Sequence, residues 1–233
     1  MTPRGSCEAR LSLVLAFDCC FESCSVALFD GRRIIASAFE PMQRGQAERL
    51  PSMTAEVLAA AGQGAKISRV AVTVGPGSFT GVRIGLSFGR AFALARGVPC
   101  IGMSSLEVVA LAEGNDGVRA AVFPAAQGIY GAAYENGEAL IPPSLMSVDD
   151  FIAQLPDGPI TISGAAATDL AAALGERAFA SNPRLPDARD LARLAFARAP
   201  GDAPPQPLYL RAPDIRPSKR ALRAAGLSPA APE

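Results

Sequence analysis

Between a β-rich run, Arg69–Val74, and a helical stretch, Val82–Arg96, the chain reads Gly75-Pro76-Gly77-Ser78-Phe79-Thr80-Gly81-Val82-Arg83-Ile84-Gly85. No other segment limits the fold so tightly. Glycines there admit positive φ and close backbone approach, and a helix starting from them offers free N–H groups and a positive dipole end. The block suits an anion or phosphate contact through Gly75, Gly77, Ser78 and Thr80, or a tight strand-to-helix turn capped by Thr80 or Ser78. It lacks the lysine of a Walker loop and the Gly-x-Gly-x-x-Gly spacing, so spacing alone favours the turn. The helix then places Gly81, Gly85, Gly89 and Ala93 on one face. Each interior glycine costs about 1 kcal/mol against alanine, which makes sense only if another backbone packs closely there. That neighbour is either the sheet of the same chain or a partner helix.

The 233 residues allow one large domain or two small lobes sharing a core. Hydrophobic residues make up 49% and charged ones 19%, the balance of a globular chain. There is no histidine, which removes Ser-His-Asp and Cys-His nucleophiles and helix-borne zinc-protease motifs. Twenty-two basic residues balance 22 acidic ones, against a strongly basic nucleic-acid binder. Four of the five cysteines, Cys7, Cys19, Cys20 and Cys24, crowd the N-terminal region, while Cys100 stands alone. An odd count and an adjacent pair make a poor disulfide framework, and Cys-x-x-Cys pairs for a metal are missing. Reduced, buried thiols are the expectation. Leu11–Phe17 follows Arg4 and Arg10 but is short for a signal peptide, lacks a small-x-small site and is broken by Asp18. With no membrane span, a cytoplasmic protein is expected.

Patterning predicts strands at Leu11–Phe17, Ser25–Phe29 and Ile34–Phe39, with Asp30-Gly31 as a hairpin turn. A helix over Gln46–Ala61 carries Leu50, Met53 and Val57 at helical spacing, with Pro51 tolerable in its first turn. After the glycine block come a strand, Val98–Gly102, and a helix, Ser105–Glu113, capped by Ser104. The order β-β-β-α-β-α-β-α indicates an α/β lobe. Further strands are expected at Arg119–Phe123, Ile129–Tyr134 and Ile160–Ser163, and helices at Ser147–Leu155 and Ala166–Leu174. Prolines become frequent beyond Asn182, Pro200–Pro207 reads as a linker, and Arg211, Arg216, Lys219, Arg220 and Arg223 form a basic tail. The expected division is a disordered extension over 1–10, a first lobe over 11–104, a smaller lobe over 105–204 and a partly mobile segment over 205–233. No internal repeat is evident.

Asp18 ends the first strand, where an acidic residue positions metal and phosphate in actin-like phosphotransferases. Here Cys19-Cys20-Phe21 follow it and offer a phosphate little. Asp18 is therefore balanced between a phosphate-site role and a hydrogen-bonded strand end.

Ala16-Phe17-Asp18, Cys24 to Leu28, Gln46 to Pro51, the block Gly75–Gly85, Gly102-Met103-Ser104-Ser105-Leu106 and Pro207 to Arg211 together resemble the TsaB (YeaZ) family. That resemblance implies the actin-like ATPase (RNase H-like) fold in two lobes. It implies a subunit without catalysis of its own, acting in the making of threonylcarbamoyladenosine in tRNA. Its partners would be TsaD as a heterodimer, TsaE in the full complex, itself as a homodimer, and tRNA indirectly. It implies no metal and no firm cofactor, with ATP or ADP admitted at the complex interface. The family pairs through its first two helices, which places Leu50, Met53, Val57, Gly81, Gly85, Gly89 and Ala93 as the expected interface. The chain departs from the family pattern at Cys19-Cys20-Phe21, where Thr-x-Thr is usual, at Gln46, where histidine is usual, and at Ala125-Ala126-Gln127, where Asp-Ala-Arg is usual. The competing reading is an actin-like kinase or ATPase, for which Gly164-Ala165-Ala166 is only a shadow of an adenosine motif. A protease ranks last.

Overall fold

The computed structural model describes residues 13–62, 66–181 and 184–210. The extension over 1–10 and the basic run from Arg211 to Arg223 lie outside the described residues.

Two five-stranded sheets are built by the same path. In the first, β1 (Leu13–Asp18), β2 (Ser23–Phe29) and β3 (Ile34–Pro41) form an antiparallel meander, then α1 (Gln46–Ala60), β4 (Ile67–Thr73), α2 (Phe79–Arg96) and β5 (Cys100–Met103) follow. The sheet order is β3-β2-β1-β4-β5, with β4 parallel to both β1 and β5. After α3 (Ser105–Ala110) the pattern repeats as β6 (Val118–Ala125), β7 (Gly128–Glu135), β8 (Glu138–Met146), α4 (Val148–Gln154), β9 (Ile160–Ser163), α5 (Ala167–Leu174) and β10 (Ala178–Ala180), ordered β8-β7-β6-β9-β10. The chain is thus a structural duplication without a visible sequence repeat. This connectivity, doubled, is the actin-like ATPase (RNase H-like) architecture.

Every residue of β1 is buried. Leu13, Leu15 and Phe17 join Leu50, Met53 and Val57 of α1 and Leu86 and Ala93 of α2 on one face. Val14 and Ala16 join the opposite core with Ala188, Leu191, Ala192 and Ala195. Those last four belong to α6 (Ala188–Ala197), capped by Asp187, whose side chain accepts from Arg189 N at 2.8 Å. The prolines beyond Asn182 predict loose chain; instead α6 crosses back onto the first sheet. The second lobe therefore does not run continuously over 105–204. In exchange, Leu106, Val109 and Ala110 of α3 pack with Ala121, Phe123, Ala132 and Tyr134 of the second sheet. Each lobe ends in a helix that packs on the other lobe's sheet, and the two helices touch.

Two further elements escaped the sequence pattern. β8 contains Pro142-Pro143 but is an edge strand with register shifts, where proline costs no ladder bond. β10 is three residues long, too short for periodicity. The expected linker is ordered against the first lobe: Leu208 N donates to Val74 O at 2.7 Å, and Pro205 lies against Gly102.

The glycine face of α2 resolves in favour of the chain's own sheet. A Cβ on Gly89 would fall 2.1 Å from Val72 Cγ1, whereas one on Gly85 would sit 3.6 Å from Cys19, in ordinary contact. Gly89→Ala should lower the thermal midpoint. Gly85→Ala should leave it unchanged or raise it, alanine being favoured by up to about 1 kcal/mol within a helix. Thermal denaturation followed by circular dichroism distinguishes the two, and equal losses would contradict this packing.

Candidate functional site

The sheets' duplicated ends bring Asp18, the loop over 19–22 and the glycine block together. In the parallel β1–β4 pair, Phe17 lies beside Val72, which sets Thr73 next to Asp18. Thr73 Oγ1 donates to Asp18 Oδ1 at 2.5 Å, Cys20 N donates to the same oxygen at 3.3 Å, and Ser23 Oγ donates to Oδ2 at 3.4 Å. Asp18 is fully buried. Burial pushes its carboxyl from 3.8 up to about 6, against the lowering effect of Thr73 and the other donors. The carboxylate's surroundings are those of a structural strand end rather than an open ligand.

The glycine block has an internal cause. A Cβ on Gly77 would lie 2.0 Å from Cys20 O, and one on Gly81 would lie 1.9 Å from Cys19 O. Ser78 N donates to Cys20 O at 2.5 Å, and Ser78 Oγ accepts from Gly81 N as the α2 cap. The carbonyls of 19 and 20 thus pack directly against the glycine positions, and they present acceptors where an anion needs donors. Gly75 has φ of 106° and faces Leu208 O. Gly164 is alike: its Cβ would meet Val122 O at 2.3 Å, so the shadow of an adenosine motif is also a backbone contact. Thr80 and Ser78 remain exposed. They border a cleft of about 410 Å³ between the starts of α1 and α2, lined also by Arg44, Gly45, Gln46 and Glu48.

Three features escaped the sequence reading. Phe21 stacks on Phe123 of β6 with ring centroids 4.2 Å apart and planes at 15°, joining the lobes where Thr-x-Thr would stand in the family pattern. Thr73 could have been found from parallel register alone. Arg83 lies 3.7 Å from the Phe79 ring and donates through Nε to Tyr209 Oη at 2.8 Å, pinning the late Pro-Leu-Tyr stretch to α2. Gln46, at the usual histidine position, is buried and donates to Met42 O at 3.2 Å. Ala125-Ala126-Gln127 forms part of the β6–β7 turn. Among the described residues no group of three or more acidic, cysteine or histidine side chains is placed to hold a metal. No described helix is long and apolar enough to cross a membrane.

The expected interface residues need correction. Leu50, Met53, Val57, Gly81, Gly85, Gly89 and Ala93 are all buried within this chain between the helices and the first sheet. They cannot touch a partner; helical spacing identified the packed face but not what packs on it. The exposed faces of the same two helices carry Ala47, Ala55 and Ala59 on α1, and Ser87, Ala91 and Ala95 on α2. Leu94 is 84% exposed beside them.

Comparison with known proteins follows the same lines. The family described as TsaD, tRNA N6-adenosine threonylcarbamoyltransferase, matches residues 40–180. The tRNA threonylcarbamoyladenosine biosynthesis protein TsaB of Escherichia coli is 35% identical over 130 residues, 54% of this chain and 56% of that protein. The match therefore spans about half the length of that curated relative. An uncharacterized protein of Mycobacterium tuberculosis is 30% identical over 90% of this chain and 97% of its own length. The structure of YeaZ from Pseudomonas aeruginosa superposes with a TM-score of 0.68 at 27% identity, covering 85% of this chain and all of that one.

Asp18 should leave a pH signature. Its folded pKa exceeds the ordinary value, so between about pH 4 and 6 the native state holds the proton that the unfolded state releases, and stability falls as pH rises. The span corresponds to about 3 kcal/mol at most. Asp18→Asn should flatten this decline, read as denaturant midpoints at pH 4, 5, 6 and 7. Parallel curves for the two proteins would contradict the buried-acid assignment.

Proposed function

The chain belongs to the family that the TsaD model describes and, within it, to TsaB (YeaZ), and from that premise we propose that it is a non-catalytic subunit in the making of threonylcarbamoyladenosine in tRNA. It binds TsaD through the outward faces of α1 and α2, with TsaE joining the full complex, and pairs with itself when TsaD is absent. Its action on tRNA is indirect and cytoplasmic. ATP or ADP, where present, belongs to the assembled interface rather than to this chain's own cleft.

The observation that carries the reading is the arrangement of α1 and α2. Their inner faces are wholly used by the first sheet, so the pair is a rigid outer layer. Its exposed side sets small residues, Ala47, Ala55 and Ala59 on α1 and Ser87, Ala91 and Ala95 on α2, among the charged Glu48, Glu56, Arg83 and Arg90, with the strongly exposed Leu94 at one end. Small side chains let a facing helix approach closely, and an interface of ~1,200–2,000 Å² is what a specific pairing requires. Catalysis by the chain alone is disfavoured by Asp18, whose oxygens already accept three hydrogen bonds, and by Phe21, an apolar ring stacked on Phe123 where the family pattern has a hydroxyl.

The direct experiment adds the purified chain to TsaD and TsaE that are inactive without it. Restored threonylcarbamoyl transfer is expected, with no nucleotide hydrolysis by the chain alone. For the surface itself, Ala55→Arg combined with Ala91→Arg should weaken TsaD pairing at least about tenfold. As exposed changes, they should alter folding stability by about 0.5 kcal/mol or less. Copurification and sedimentation measure the first and thermal melting the second. Undiminished pairing by a well-folded double variant would move the interface elsewhere.

A further inference from the structure

The loop beneath α2 also carries a pair of buried thiols to which the proposed pairing assigns no role. Asp18 lies opposite Ser25 in the antiparallel β1–β2 ladder, so Cys19 and Cys24 take the next opposed positions. Opposed residues on antiparallel strands have Cα separations of ~4.5–5.5 Å, inside the ~4.4–6.8 Å that a disulfide spans. Their sulfurs are 3.7 Å apart, with the Cys19 thiol donating to Cys24 Sγ. Both are buried and free. Cys20 is set apart, since its thiol is engaged with Thr73 and Asp18. Cys100 stands on β5, on the far side of β4 from β1.

We propose that Cys19 and Cys24 form a dithiol–disulfide site oxidised by a small hydroperoxide. The Cys24 thiolate attacks the peroxide: an S–O bond forms, the O–O bond breaks, and the departing hydroxide takes a proton and leaves as water. The Cys19 sulfur then attacks the resulting sulfenic sulfur. The S–S bond forms, the S–O bond breaks, and the hydroxyl leaves as a second water with the Cys19 proton. Two thiols and one hydrogen peroxide give one disulfide and two waters, with the peroxide oxygens taking up the two electrons.

The assignment of roles follows from the hydrogen bond. Donation from Cys19 holds Cys24 below its ordinary value despite burial, with Arg49 nearby adding to the effect, while Cys19 is raised by the same bond and by its own burial. Access requires only a local opening, because Phe21 is half-buried and Glu22 is exposed at the tip of the loop. The position gives the bond leverage. The Cys19 backbone is the floor beneath Gly81 and Gly85 of α2, and Cys24 shares its core with Leu50 and Met53 of α1.

The test treats the folded, fully reduced chain with hydrogen peroxide, alkylates remaining thiols under denaturing conditions, and maps the peptides by mass spectrometry. A Cys19–Cys24 cross-link that disappears on reduction is expected in most molecules of the wild type and of Cys20→Ser, and in none of Cys24→Ser. Should Cys24→Ser fail to fold, the first two maps still decide. Overoxidised thiols without a cross-link, a Cys19–Cys20 or Cys20–Cys24 bond instead, or a link formed only in urea would each overturn the proposal.

Discussion

The contact on which the rest of the molecule depends is backbone against backbone. The carbonyls of Cys19 and Cys20, at the turn out of β1, press into the glycine block that leads into α2, where only glycine leaves room at 77 and 81. No side chain could mediate so short a distance, so the sequence there is dictated by sterics rather than by a ligand. The rest of α2 follows from that anchor. Once its start is fixed on the loop, Gly89 must pass over Val72 and Ala93 must reach the core of the first sheet. The same geometry turns the remaining faces of α1 and α2 outward. A feature that resembles a phosphate loop is thereby the means of holding two helices in register.

The lobes are joined by exchange rather than by simple abutment. α3 covers the second sheet and α6 the first. Arg69 fixes the far end of α6 by donating to the carbonyls of Phe196 and Arg198 at 3.2 and 3.0 Å, where a cation also meets the negative end of the helix dipole. Arg198 in turn pairs with Glu107 of α3, so the two exchanged helices are tied to each other. With Phe21 stacked on Phe123 across the opening between the sheets, hinge-like separation of the sheets, each with the helix packed on it, would break both that stack and the Arg198–Glu107 ion pair.

Local chemistry explains what could be read in advance. The first lobe was legible because its elements each carry a strong local signal: an apolar run for β1, Asp30-Gly31 for the hairpin, helical spacing in α1 and α2. α6 was hidden because its proline-rich flanks outweighed Asp187 and the Ala188, Leu191, Ala192, Ala195 spacing, which is nonetheless a clear one-face pattern. β8 was hidden by Pro142-Pro143, since sequence alone does not tell an edge strand from a central one. For the site, residue types pointed to the right places and the wrong occupants. Helical periodicity states that a face is buried; whether the chain itself or a partner buries it is a tertiary fact, and here Leu50, Met53, Val57 and Gly89 went to the first sheet, and Gly81 and Gly85 to Cys19 at the end of β1. Phe21 on Phe123 joins residues about a hundred positions apart and has no local signature.

Asp18 shows how its surroundings set the role of a strand-end carboxylate. A strand-end carboxylate is useful to phosphate chemistry when it is solvated and flanked by hydroxyls, because it then stays charged and can hold a hydrated metal. Here Cys19, Cys20 and Phe21 surround the carboxylate with groups that exclude water. Desolvation moves the carboxyl to about 6, and its oxygens turn inward to Thr73, Cys20 N and Ser23. Those bonds stitch β1 to β4 and to its own following loop, the loop whose carbonyls seat α2. A buried acid costs stability where a neutral side chain would not, so its persistence here follows from the donors around it, each of which would be left unpaired by an apolar replacement. The residue that could have served a substrate thus serves the helix pair, whose outer surface presents Leu94 to solvent.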